Sequence, residues 1–423
     1  MAERPIEHLR WYIAGLLCLA TALNYLDRQT LSILANTIQN ELKLTDVQYS
    51  LITSSFLASY TAMYAVSGRL LDRFGTRLGF SLSVAAWSAA NMLHALARTA
   101  LQFSFFRFLL GIGESANFPA GVKVVSEWFP MRERALAVGI FNSGSSIGAA
   151  IAAPLVSLVA LQWGWRWAFV VTGAIGFIWV LAWVRLYHLP HAHPRLSGAE
   201  RRVVLSDEAV ESEGNSSAIP LSRLLSMKET WGCVSARVFI DPVTYFLVFW
   251  IPKYLQKEQG FTLASVGAYA WIPYFALAIG TIVGGAIPHR LIARGWSVNR
   301  ARKTVMFLSS CFIPLCYLVL TRGGGPVVAM VAISGLMFGH GAWGNITIPA
   351  EVFPKTVVGT VSGIGGTLGG LAGIATQLSI GWMVQNVSFT PVFVACGSMY
   401  MVSFILVHRL AGELGRIRKL DRQ

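Results

Sequence analysis

Charge is scarce in this chain. Only 13% of its 423 residues are Asp, Glu, Lys or Arg, and the acids number 20 in all, where an ordinary soluble domain carries about 25% charged residues. That argues against a water-soluble globule. Cysteine is scarce too: Cys18, Cys233, Cys311, Cys316 and Cys396 show no Cys-x-x-Cys spacing and no neighbouring set of His ligands. The pattern offers neither a disulfide framework nor a metal site, and the five read as small apolar residues. Glycine clusters such as Gly144-Ser-Ser-Ile-Gly148 and Gly363-Ile-Gly-Gly366 lack the strand that must precede a dinucleotide-binding turn. They read as close helix packing of the small-xxx-small kind. No enzyme motif is left, and no cofactor is expected.

Apolar sequence is what abounds: 54% of residues are hydrophobic and the mean hydropathy is +0.56. Stretches of about 20 residues recur along the chain, each long enough to cross roughly 30 Å of hydrocarbon as a helix. They place twelve spans at 10–35, 48–71, 79–97, 101–125, 135–160, 165–187, 230–252, 263–288, 304–321, 326–350, 357–385 and 389–409. The first run is too long for a signal peptide, lacks a small-residue cleavage site and contains charge, so it is expected to remain as a span. The net charge of +14 suggests nucleic acid, but its distribution argues otherwise. With both ends inside, 25 of the 34 Lys and Arg fall in inner segments or at the inner ends of spans, six in outer loops or at outer span ends, and Arg28, Arg107 and Arg237 lie deeper within spans. The positive-inside rule then makes both termini cytoplasmic, with a lipid bilayer and no nucleic acid as partner.

The few charges inside spans carry the functional signal. Asp27 and Arg28 lie in the first span, and Arg107 and Glu114 in the fourth. A charge near the bilayer centre costs roughly 2.5–3.5 kcal/mol on the lenient insertion scale, so such residues usually face a polar pathway. Movement of a charged solute is the expected function. Arg107 and Glu114 are seven residues apart, which puts them on one helix face about 10.5 Å apart along the axis. Counting depth from the helix ends pairs Asp27 with Arg107 and leaves Glu114 near the midplane. Arg237 and Asp241 read as an i,i+4 pair that holds span 7. His94 and His340 read as satisfied neutral groups.

The hydrophilic stretch from about His188 to Lys228 separates six spans from six, which divides the chain into 1–188, a linker at 189–228, and 229–423. Ser197-Gly-Ala-Glu200 has capping-box spacing, and Glu211 to Ser217 has a disordered composition. An internal repeat crosses the linker: Glu127-Trp-Phe-Pro130 recurs as Glu351-Val-Phe-Pro354, an offset of 224 residues. The expected architecture is an all-α membrane protein of two six-helix bundles related by a parallel repeat.

Between spans 2 and 3 the chain reads Gly68-Arg-Leu-Leu-Asp72-Arg73-Phe-Gly75-Thr-Arg77. This resembles the loop motif of the major facilitator superfamily, in which Asp72 is expected to latch to Arg73, Arg77 or a neighbouring helix end. A degenerate copy after span 8, with Gly285, His289, Arg290 and Gly295 before Trp296-Ser-Val-Asn-Arg-Ala-Arg-Lys303, lacks the acid. The second gate is therefore expected to be held differently or more weakly. Asn24-Tyr-Leu-Asp27-Arg28, Arg107-Phe-Leu-Leu-Gly-Ile-Gly-Glu114-Ser-Ala-Asn-Phe-Pro119, Ser126-Glu-Trp-Phe-Pro130 and Asp241-Pro242 with Phe249-Trp-Ile-Pro-Lys-Tyr254 resemble the anion:cation symporter family, most of all its bacterial hexuronate branch.

That resemblance implies proton-coupled import of glucuronate or galacturonate by a monomer in the bacterial cytoplasmic (inner) membrane. Arg28 and Arg107 take the substrate carboxylate, because a planar guanidinium can hold it with parallel hydrogen bonds. Asp27 and Glu114 take protons, and an anion that occupies the neighbouring Arg favours their protonated forms. Tyr60, Tyr64, Asn142, Ser145, Trp343, Asn345, Thr367 and Gln377 are candidates for the sugar hydroxyls. Gly68, Asp72, Arg73, Gly75 and Arg77 form a gate, with Glu127, Glu133 and Glu351 as further inner-gate groups. Three other readings stay open: a symporter for an aldonate, aldarate or aromatic acid, a multidrug exporter, and a solute sensor that moves nothing. The exporter fits poorly, since Gly148 and Pro154 are separated and two cavity Arg would repel a cationic drug.

Overall fold

The computed structural model describes residues 6–205, 220–344 and 347–415. Its regular structure there is helical, apart from one isolated bridge between Ile6 and Leu196. The first half runs α1 (Leu9–Ile33), α2 (Ala35–Leu42), α3 (Asp46–Leu93), α4 (Ala100–Glu114), α5 (Asn117–Trp128), α6 (Met131–Trp163), α7 (Trp165–Leu186) and α8 (Gly198–Val204). The second runs α9 (Leu221–Ser226), α10 (Lys228–Phe249), α11 (Ile251–Glu258), α12 (Leu263–Tyr269), α13 (Trp271–Ala293), α14 (Val298–Arg322), α15 (Gly325–Trp343), α16 (Ile348–Val352), α17 (Lys355–Asn386) and α18 (Thr390–Leu406).

Among the described residues, nine helical segments are long and apolar enough to cross a bilayer, and they match expected spans 1 and 5 to 12. The stretches expected as spans 2, 3 and 4 are not among these nine. Residues 48–71 and 79–93 lie in α3, whose 48 residues would reach about 72 Å if straight. Gly75 interrupts it at φ 74° and ψ 162°, a left-handed backbone that glycine adopts at little cost. Span 4 is divided into α4 and α5 around Ser115 and Ala116.

Two compact units form, one within Met1–Leu34 and Ala58–Ser216, the other within Ala35–Leu57 and Ser217–Gln423. In the first, α1 packs along α6 and α7; in the second, α10 packs along α17, and α15 along α13 and α14. Glycine sets the closeness of these seams. A Cβ on Gly144 or Gly148 would overlap the carbonyl oxygens of Cys18 and Ala22 on α1, and one on Gly280 or Gly284 would overlap those of Phe338 and Ala342. Backbone therefore touches backbone, as membrane helices do when small residues line their contact. Outward faces carry large apolar side chains such as Leu101, Ile282, Val327 and Val331, a surface suited to hydrocarbon.

The sequence repeat is also a repeat of conformation. Phe129 (φ −124°, ψ 131°) and Phe353 (φ −113°, ψ 151°) end helices, while Pro130 (φ −62°, ψ 153°) and Pro354 (φ −64°, ψ 151°) cap the starts of α6 and α17. In α8 the Ser197 hydroxyl accepts from the Glu200 amide at 3.2 Å. The reciprocal half of the expected capping box is diverted: the Glu200 carboxylate accepts from the Arg10 guanidinium at 2.6 Å. A charged donor outcompetes a backbone amide for it. The stretch Glu211 to Ser217 lies outside the described residues.

Candidate functional site

Adjacent residues on a helix point about 100° apart, so Asp27 and Arg28 on α1 meet different neighbours. Arg28 reaches α4, where its Nε and Nη2 donate to the same Glu114 oxygen, Oε2, at 3.1 and 2.7 Å. Nη2 also donates to the Asn24 amide oxygen at 3.2 Å. The rings of Tyr25 and Tyr60 lie 4.9 and 5.1 Å from the guanidinium carbon, close enough for cation–π attraction. Asp27 points the other way, and its Oδ1 accepts from the Asn91 amide at 2.7 Å.

The expected Asp27–Arg107 pair is thus corrected. The ion pair joins Arg28 to Glu114, and Arg107 donates to the Arg28 carbonyl at 3.4 Å. Helix depth was a poor guide because the long Arg28 side chain spans levels that a carboxylate cannot. All four groups are buried: Asp27 and Glu114 are 0% exposed, Arg107 1% and Arg28 5%. Two guanidinium groups and two carboxylates balance in charge, which is what makes such burial tolerable.

Other predicted residues are less concentrated. Tyr60 is half-buried and Tyr64 exposed, with ring centroids 6.0 Å apart. On α6, Asn142 is exposed and Ser145 half-buried, its hydroxyl donating to the Asn142 carbonyl at 2.8 Å. In the second unit Thr367 is exposed on α17. Trp343 is buried, its indole donating to Ser310 at 2.8 Å. Gln377 is also buried, its oxygen accepting from Trp250 at 2.7 Å and Thr53 at 3.2 Å. Asn345 lies outside the described residues.

Of the partners expected for Asp72, the structure supplies the one on a neighbouring helix. Asp72 pairs with Lys123 on α5, and not with Arg73 or Arg77. Arg77 donates to the Val184 carbonyl at 2.6 Å, and Arg73 lies over the Phe74 ring at 5.8 Å. Thr76 and Tyr187 both donate to Glu127, at 2.8 and 2.6 Å. In the second unit Arg302 pairs with Glu351 at 2.8 Å and donates to Thr347 and to the Gly344 carbonyl. Glu133 pairs with Arg10 at 2.8 Å. The i,i+4 pair Arg237–Asp241 forms at 2.9 Å. His94 donates through Nδ1 to the Ala90 carbonyl at 2.8 Å, and His340 bonds Tyr400 at 2.6 Å.

One charged cluster had no sequence signal. Within the second unit, Asp46 at the start of α3 is held by Lys253 and Lys257 of α11, and the Lys253 ammonium lies 4.7 and 5.1 Å from the Tyr49 and Trp250 rings. Burial lowers Lys253 to about 8 against the pull of Asp46. For Asp46, burial acts upward and the lysines outweigh it, leaving the carboxyl below its usual range.

A helical bundle with a charge-balanced cluster at membrane depth defines a transporter class, and the family model bears this out. The Major Facilitator Superfamily model matches residues 17–377, and the chain belongs to that family. It is a membrane transporter, not an enzyme. It is 34% identical to the hexuronate transporter of Escherichia coli K12, over 92% of this chain and 91% of that protein. It is likewise 34% identical to the probable galactarate/D-glucarate transporter GarP of the same bacterium, over 98% and 97%. The inward-open structure of the xylose transporter XylE from E. coli shares the fold, with a TM-score of 0.77 over 96% of this chain and 97% of that one at 14% identity.

Proposed function

We propose that this protein is a monomeric symporter that imports a sugar-acid anion with protons across a bacterial cytoplasmic membrane, with hexuronates such as glucuronate and galacturonate as its cargo. It does so by alternating access, through twelve membrane helices with both termini in the cytoplasm. The observation that carries this reading is the Arg28–Glu114 pair, in which both guanidinium donors rest on one carboxylate oxygen.

A substrate carboxylate is the chemical equal of the Glu114 side chain and competes for the same donors. When substrate takes Arg28, Glu114 is left buried without its counter-charge and binds a proton instead, since a lone buried carboxylate is costly. Substrate and proton are then coupled through one guanidinium without touching. Tyr60, whose ring faces Arg28, flanks the sugar. Bringing in a monovalent anion against 100 mV, inside negative, costs about 2.3 kcal/mol. One proton cancels that cost, and a second, on Asp27, makes import electrogenic. Each unit of pH gradient adds about 1.4 kcal/mol per proton.

A second reading, transport of a dicarboxylate aldarate, draws support from the second buried guanidinium, Arg107, and from the equal identity to GarP. Uptake of labelled glucuronate, galacturonate and glucarate into proteoliposomes, with an imposed pH gradient and the potential clamped at zero, tests both. Accumulation that collapses with the gradient supports hexuronate symport. Accumulation of glucarate alone moves the assignment to the aldarates.

A further inference from the structure

Asp27 is fully buried, and the bond that holds its carboxyl comes from a residue 64 positions away that no motif marks. The Asn91 amide nitrogen on α3 donates to Asp27 Oδ1 at 2.7 Å, and to Thr172 Oγ1 on α7 at 2.7 Å. The Phe169 carbonyl lies 3.4 Å from the same nitrogen. Asp27, Asn91 and Thr172 are each 0% exposed. Among the described residues, Asp27 Oδ2 and Asn91 Oδ1 find no partner of good hydrogen-bond geometry, and the Thr172 hydroxyl lies against the Asp27 carboxyl as well as against Asn91. The charged groups near Asp27 are Arg107 and Glu114 of α4, with the titratable ring of His94, just past the end of α3, stacked on Phe169. From α7 the facing polar group is Thr172, and α5 brings Asn117, which donates to Thr21.

We propose that Asn91, braced by Thr172, is the positioning residue of the Asp27 proton site, and that its amide serves both protonation states of that carboxyl. This rests on the symport reading given above. An ionised carboxylate only accepts hydrogen bonds, whereas a protonated one must also donate. The Asn91 NH2 meets the ionised form as seen. A half-turn of the amide presents its unbonded oxygen to the protonated form, and the Thr172 hydroxyl, donor or acceptor as needed, follows. Leu shares the branched shape of Asn and can do neither, so, read beside the thermal stability, it discriminates between positioning and space filling.

The test compares Asn91→Leu, Thr172→Val and Asp27→Asn with the parent protein in proteoliposomes. Proton-driven glucuronate uptake and substrate exchange are measured from pH 5 to 9, alongside thermal stability. Losing a donor to the ionised form favours the protonated one. The midpoint of driven uptake in Asn91→Leu is therefore expected to move about one unit to higher pH, with the KM of exchange unchanged. Thr172→Val moves it the same way by less, and keeps the test available if Asn91→Leu does not fold. If uptake falls equally at every pH with no midpoint shift, while Asp27→Asn abolishes the driven component, the symport reading stands and the role of Asn91 is overturned. If Asp27→Asn leaves driven uptake and its pH profile intact, the reading of Asp27 fails and this inference with it.

Discussion

Glu114→Gln separates the two tasks assigned to the Arg28–Glu114 pair. Gln keeps the size and one carbonyl oxygen for Arg28 but loses the charge. The carboxylate receives two guanidinium bonds, at 3.1 and 2.7 Å. Hydrogen bonds to a charged group contribute about 1.5–3 kcal/mol each, and because Arg28 keeps its charge in the variant, loss of the carboxylate charge moves each bond from the upper toward the lower end of that range. The variant should hold Arg28 less tightly by about 1 kcal/mol per bond, or about 2 in total. A substrate carboxylate then displaces the side chain more easily, which corresponds to binding tighter by about 30-fold where Glu114 would be ionised. The two proteins should converge at low pH, where the parent carries a neutral side chain as well. Calorimetric titration of glucuronate from pH 5 to 8 reads this directly: the parent weakens as pH rises and the variant stays nearly flat. In proteoliposomes the variant should exchange labelled for unlabelled substrate yet fail to accumulate it. Weaker binding at every pH would place Glu114 in the substrate site, and a parental pH slope would remove it from coupling.

Three further outcomes are expected. Asp46→Asn leaves Lys253 buried without its counter-charge and should cost about 3 kcal/mol at pH 7. Because Lys253 is lowered to about 8, the pair in the parent is lost as pH rises through that value. The gap in thermal stability should therefore narrow by pH 9.5, and an equal gap would refute the assignment. Gly148→Val forces a side chain into the Ala22 carbonyl and should destabilise by at least the roughly 1–3 kcal/mol of overpacking, seen as a lower unfolding temperature or lost folded yield. Asp72 is largely exposed in its pair with Lys123, so Asp72→Asn should cost under about 1 kcal/mol. Arg302→Gln removes a better buried group with three partners and should lower the unfolding temperature more; the reverse order would refute the asymmetry.

Much of this was legible in the sequence because ionisable residues inside apolar runs are conspicuous. Asp27, Arg28, Arg107 and Glu114 stood out on that ground, and the Glu127–Pro130 and Glu351–Pro354 repeat foretold matching helix junctions. The pairing within the cluster was not legible, since it depends on which face each helix turns to which neighbour and on how far each side chain reaches. Asn91 and Thr172 carried no signal beyond being polar in apolar helices. A lone amide there is expected to bond across to another helix, but sequence does not say to which. Lys253 and Lys257 likewise sit past the end of a span, where lysines are ordinary. Only the fold shows that Asp46 comes from more than 200 positions away to meet them.

The seam between α1 and α6 has a mechanical consequence. With backbone against backbone at Gly144 and Gly148, the two helices have no slack in which to slide and behave as a single stiff plank. Cys18 Sγ and Ser143 Oγ face each other across it at 3.7 Å. The charges on α1 must then be carried through the transport cycle with α6 attached, and a pair of probes at these two positions would form a ruler of fixed length inside a moving machine.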